Sequence, residues 1–167
     1  MNFEVLSEKL LAWFPNTEPV NRPVRKDPII KDSDWIAGFV DGEGCFTVNI
    51  YNRKDTVLGK GIKLVLKITQ SNRNKNVLEE IKKILDCGNL YSQSKVTKSN
   101  VSDYMVTSLL DITNKIIPFF LAHPLQGVKK NELTNFIKVA ELMNQKAHLT
   151  KEGLAKIQAI KAGMNKS

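Results

Sequence analysis

Cysteine and histidine are scarce in this chain, which carries two of each. Cys45 and Cys87 lie far apart and in no metal-ligand spacing, which argues against a disulfide framework and a cysteine zinc site; a reduced compartment is the plain reading. His123 and His148 suggest no metal site. No apolar run approaches the ~20 residues that span a bilayer, so no membrane partner is expected. The opening stretch MNFEVLSEKLLAWF lacks the basic region and apolar core of a secretory signal, and Glu4 and Glu8 speak against an imported presequence. Acids are also short, 17 against 25 basic residues, leaving a net charge of +8.

That excess is local. After Cys45 and through Lys75 stand Arg53, Lys54, Lys60, Lys63, Lys67, Arg73 and Lys75, opposed only by Asp55. A basic stripe of this kind is an electrostatic footprint for a polyanion, most often nucleic acid. With 167 residues, 42% of them hydrophobic, the chain is long enough for one domain with a real core.

Hydrophobic periodicity organises the rest. Residues 1–31 read as a short helix capped by Ser7, followed by a linker, Pro15 to Pro28, that holds four of the six prolines. The domain then runs over 32–167, with Asp32 or Ser33 as the N-cap of its first helix. From Cys45 the period changes to two, with Phe46, Val48 and Ile50 on one side. KGIKLVLKITQ alternates again, with Ile62, Leu64, Leu66 and Ile68 opposite Lys63, Val65, Lys67 and Thr69. A helix follows over Asn74 to Leu85, then strands at Gly88 to Lys95 and Val101 to Ser108 around a turn at Lys98-Ser99-Asn100. Three helical stretches close the chain: Asp111 to Leu121, kinked or split at Pro118, then Lys130 to Gln145 and Thr150 to Met164. This order predicts an α+β fold, αββαββα, with antiparallel hairpins buried on one face and open on the other. The open face of the first hairpin carries Thr47, Asn49, Tyr51, Arg53, Lys63, Lys67 and Thr69, a row of donors and cations suited to the major groove of DNA.

The stretch WIAGFVDGEGCF is unusual for a helix. Ile36, Phe39 and Val40 form a buried stripe, yet Gly38 and Gly42 sit inside the helical pattern at a cost of about 1 kcal/mol each. Asp41 and Glu43 then stand at the negative end of the helix dipole. Gly38 and Gly42 fall opposite the buried stripe, where missing side chains let a second helix approach closely. If that helix belongs to a copy of the chain, symmetry brings two Glu43 carboxylates together, and they repel unless a cation lies between them. Carboxylate oxygens with water and phosphate suit Mg²⁺, which would offset the charge.

IAGFVDGEG resembles the motif of the LAGLIDADG homing endonucleases, and the resemblance extends over nearly the whole chain from Trp35, with KITQ, VSDY and PLQGVKK as related segments. It implies that family's fold, a saddle-shaped antiparallel sheet with helices on one face. It also implies an interface between two domains through the motif helix (Gly38, Asp41, Gly42) and a catalytic Mg²⁺, replaceable by Ca²⁺ or Mn²⁺, on Glu43 with the Gly42 carbonyl. Gln70 would order water near the metals and Lys129 would stand beside the scissile phosphates. A further basic position maps to Arg73 or Asn74. Asp41 is the less favoured ligand, given to packing or local hydrogen bonding. Double-stranded DNA would be read by the open face, Val65, Tyr91, Gln93, Asp103 and Met105 joining the first-hairpin residues.

Only one copy of the motif is present, so a working site needs a homodimer or a missing N-terminal homologous half. LSEKLLAWFPN and its Pro-rich sequel resemble the connection before the second motif of fungal mitochondrial intron enzymes, which implies a mitochondrial location. An RNA-binding intron maturase and a DNA-binding module without catalysis are the alternative readings. Against the second stand Glu43, Gln70 and Lys129, which binding alone does not need.

Overall fold

The structure is a computed structural model and describes residues 12–13, 29–92 and 100–164. Most of the expected N-terminal helix and linker, the turn residues Lys98 and Ser99, and Gln93 lie outside the described residues. Within them the order is α1 (Ser33–Glu43), β1 (Gly44–Asn52), β2 (Lys60–Ser71), α2 (Lys75–Leu85), β3 (Asn89–Ser92) and β4 (Val101–Val106). Then come α3 (Leu109–Asp111), a π turn (Ile112–Ile116), α4 (Ile117–Ala122), α5 (Lys129–Asn144) and α6 (Lys151–Met164). No helix among the described residues is long and apolar enough to cross a membrane.

The four strands form one antiparallel sheet in the order β1-β2-β4-β3, so β2 and β4 are central. Register follows the alternation: Phe46 faces Leu66, Val48 faces Leu64, and Ile68 faces Tyr104, all on one side of the sheet. On that side α1 contributes Ile36, Ala37 and Val40, α2 contributes Leu78, Ile81 and Leu85, and α5 contributes Leu133, Phe136, Val139 and Ala140. Phe46 packs edge-on against Phe120 of α4 at 5.7 Å and Phe136 of α5 at 5.3 Å, which ties β1 to both helices.

Local chemistry sets the boundaries. Asp32 caps α1 by accepting from the Asp34 N–H at 2.9 Å. The helix broken by Pro118 shows why the chain bends there. Proline has no N–H and its ring crowds the carbonyl four residues back, so the turn before it widens into the π turn and Pro118 sits in the first turn of α4. Between α2 and β3, Gly88 adopts φ +75°, and a Cβ there would lie 2.8 Å from the Met105 carbonyl oxygen. Beside it the buried Tyr104 hydroxyl donates to the Cys87 carbonyl at 3.0 Å, and burial pushes both the phenol and the Cys87 thiol up.

Gly153 in α6 is buried against the turn that precedes it; a Cβ there would lie 1.9 Å from the Ala147 carbonyl oxygen. Backbone on both sides leaves nowhere to yield. Gly153→Ala is expected to destabilise the fold by about 1–3 kcal/mol, read as a lowered midpoint in urea denaturation.

Candidate active site and nucleic-acid face

The C-terminal end of α1 is built by three segments. The helix ends in the turn to β1 because Gly44 donates its N–H to the Val40 carbonyl. A Cβ on Gly44 would meet that oxygen at 2.7 Å, so only glycine allows the tight change from helix to strand. The second segment is the loop before α5. Asp41 Oδ2 accepts from the backbone N–H of Gln126 at 3.0 Å and of Gly127 at 2.5 Å. A Cβ on Gly127 would fall 2.8 Å from Asp41 Oδ1, so this close approach also requires glycine. The third is Lys129, whose ammonium donates to the carbonyls of Asp41 at 2.8 Å and Gly42 at 2.7 Å.

These bonds account for the acids at the negative helix end. The last carbonyls of a helix lack partners within it, and a cation in the last turn satisfies them and the dipole together. Within the chain that cation is Lys129, where the sequence pointed to a metal as the group offsetting the charge. Asp41 spends its carboxylate on the 126–127 loop, and its Oδ1 is buried with no hydrogen-bond partner among the described residues. Glu43 is exposed and forms no hydrogen bond or ion pair among the described residues.

The opposite side of α1 is open. A Cβ on Gly38 or Gly42 would meet nothing within 4 Å. Trp35 stands on the same stripe, 45% exposed and stacked on Phe39 at 5.0 Å. Beside the stripe runs a groove of about 450 Å³ lined by Asp34, Ala37, Gly38 and Asp41 and by Ala122, Pro124 and Gln126 of the segment that ends α4. His123 Nδ1 lies 2.6 Å from Asp34 Oδ1, a second latch between that segment and the start of α1.

Strand register brings Gln70 to the same end of the sheet. Gly44 pairs with Ile68, so Gln70 extends two residues past the start of β1. Its Oε1 accepts from Asn74 at 3.3 Å, while Arg73 is exposed on the 3₁₀ turn Asn72–Asn74 that leads into α2. Of the two residues considered for a further basic position, Asn74 is thus the one that touches Gln70.

On the open face the cross-strand rows are Asn49 with Lys63, Thr47 with Val65, Lys67 with Met105, and Thr69 with Asp103 and Tyr91. Asn49, Lys63, Tyr51 and Tyr91 are exposed, and Thr47, Lys67, Thr69 and Met105 half-buried. Tyr51 lies across Gly61, where a Cβ would meet its ring at 2.5 Å. Three of the expected contact positions carry close neighbours of their own. Val65 is 6% exposed and Asp103 4%, because in central strands neighbouring side chains close over them. Arg53 lies one residue past β1, and its guanidinium is taken by Asp55 at 2.8 and 2.9 Å, holding that carboxyl below its usual range. Gly44 and Gly127 are structural requirements of the site that helical spacing does not reveal, although both lie in the motif segments IAGFVDGEG and PLQGVKK.

For a divalent cation, one chain offers a partial donor set. No group of three acids, histidines or cysteines clusters among the described residues. The Glu43 carboxylate and the α1 carbonyl end, already holding an ammonium, are hard oxygen donors of the kind Mg²⁺ takes. These oxygens fit such a cation in kind but are too few to fill its coordination shell.

An αββαββα sheet with an acid at the end of a glycine-faced helix defines a class, and the LAGLIDADG endonuclease family matches residues 36–140. The chain belongs to that family, the LAGLIDADG homing endonucleases. It is 33% identical over 156 residues to "Probable intron-encoded endonuclease 3" of Neurospora crassa, a match that covers 93% of this chain and 28% of that protein. "DNA endonuclease I-CvuI" of Chlorella vulgaris is 33% identical over 88 residues, covering 51% of this chain and 52% of that protein. Among solved structures, I-SmaMI bound to uncleaved DNA target in the presence of calcium ions superposes with TM-score 0.86 at 38% identity, over 96% of this chain and 53% of that one. I-LtrWI bound to target DNA gives 0.85 at 41% identity, over 95% and 52%. The chain therefore spans about half the length of these solved endonucleases.

Asp41→Ala leaves the Gln126 and Gly127 N–H groups without their acceptor. A loss of about 1–3 kcal/mol in chemical denaturation is expected, with faster amide exchange at those two positions.

Proposed function

We propose that this chain is one half of a divalent-metal-dependent, site-specific double-strand DNA endonuclease, and that it pairs with a second copy of itself through the Gly38–Gly42 stripe to act on a near-palindromic site. The observation that carries this reading is the unpartnered Glu43 carboxylate beside an open, glycine-lined helix face. The DNA-bound endonucleases it resembles, each about twice its length, support a site made from two such domains. That ratio also favours a second reading, in which the pairing domain is a homologous N-terminal half. The intron-encoded names of its relatives support an intron-encoded origin and, with it, a mitochondrial location.

In this reading Glu43 and the Gly42 carbonyl hold Mg²⁺, with Ca²⁺ or Mn²⁺ as substitutes. Bound metal would supply Lewis-acid charge stabilisation and an acidified water for phosphodiester hydrolysis. Gln70, steadied through Asn74, would orient water by hydrogen bonding. The Lys129 ammonium, held at the end of α1, would place positive charge where the scissile phosphate gains negative charge. Lys63, Lys67 and the other open-face side chains would position the duplex on phosphates and read base edges.

Light scattering without DNA should give a mass near twice 18.8 kDa. A mass near 18.8 kDa would overturn self-pairing in solution and leave the N-terminal-half reading. Gly38→Ala should hold or raise the stability of the single chain, by up to about 1 kcal/mol of helix propensity, yet lower the dimer fraction. Glu43→Gln should cut cleavage in Mg²⁺ by about 100-fold or more while duplex binding persists. Equal cleavage by this variant would overturn the catalytic assignment.

A further inference from the structure

On a face rich in cations, one carboxylate is buried. Asp103 is 4% exposed in the middle of the sheet, between Thr69 of β2 and Tyr91 of β3. Thr69 Oγ1 donates its proton to Asp103 Oδ1 at 2.5 Å. A carboxylate at this depth does not reach a base edge. Its half-buried neighbour Thr69 is the more exposed member of the pair.

A threonine hydroxyl has one proton and two lone pairs. With the proton committed to Asp103, the hydroxyl has only lone pairs left to offer. We infer that Asp103 is a positioning residue that fixes Thr69 as an acceptor only, so that Thr69 selects a base whose major-groove edge donates. Adenine N6 and cytosine N4 carry such donors; guanine O6 and N7 and thymine O4 present lone pairs and are rejected. Lys67, two residues earlier on the same face, offers only donors, so the strand alternates a fixed donor with a fixed acceptor. This inference rests on the double-stranded DNA reading above and adds to it the polarity of one contact.

The test is selection of bound duplexes from a randomised pool in Ca²⁺, using the full chain and its variants. Thr69→Val should flatten the preference at one base position per domain by about fivefold or more, and that base should be adenine or cytosine in the wild-type profile. Thr69→Ser, which keeps the hydroxyl, should restore the preference. Asp103→Leu frees the hydroxyl proton and should admit guanine or thymine at that same position while the other positions hold. A guanine or thymine at the affected position, no affected position, or an unchanged Asp103→Leu profile would each overturn the inference. If Asp103→Leu does not fold, the identity of the base lost in Thr69→Val still decides. Wild-type protein that enriches no duplex would instead overturn the DNA reading on which the inference stands.

Discussion

The Lys129 ammonium on the carbonyls of Asp41 and Gly42 holds the candidate site in register. A helix that ends in two acids concentrates negative charge where its own carbonyls already point outward. Lys129 neutralises that end from the first turn of α5, while the 126–127 backbone returns two N–H groups to Asp41. α1 is thereby pinned to the segment that leads into α5, and α5 is pinned to β1 through the Phe46–Phe136 contact. Glu43, exposed at the end of that helix, has no hydrogen bond or ion pair among the described residues.

The same division between used and spare groups runs across α1. Its inner face is filled by Ile36, Ala37 and Val40, each at most 5% exposed. Its outer face presents two glycines with open space before them. A single helix thus serves one core completely and leaves room for another backbone.

The open sheet face is more selective than its charge suggests. Arg53 is occupied by Asp55, Val65 is enclosed, and Asp103 is buried under its neighbours. The groups left for a ligand are fewer and more directional: the amide of Asn49, the ammonium groups of Lys63 and Lys67, the hydroxyl of Thr69 and the rings of Tyr51 and Tyr91. Directional groups on a rigid sheet carry sequence information that a diffuse positive field does not.

The sequence by itself determined the element order and the inner face of each element, because periods of 2 and 3.6 are local properties of the chain. Phe46, Val48, Leu64, Leu66 and Ile68 were legible as core from their alternation alone. It also determined which residues at the end of α1 are chemically unusual, since two glycines and two acids in one turn conflict with helix propensity. Partnership was decided only by the tertiary structure. Lys129 and Gly42 are 87 positions apart, Thr69 and Asp103 are 34 apart, and no local period records that such groups meet. Burial of Val65 and Asp103 was likewise invisible, because alternation tells which face a side chain takes and not how closely its neighbours on adjacent strands cover it.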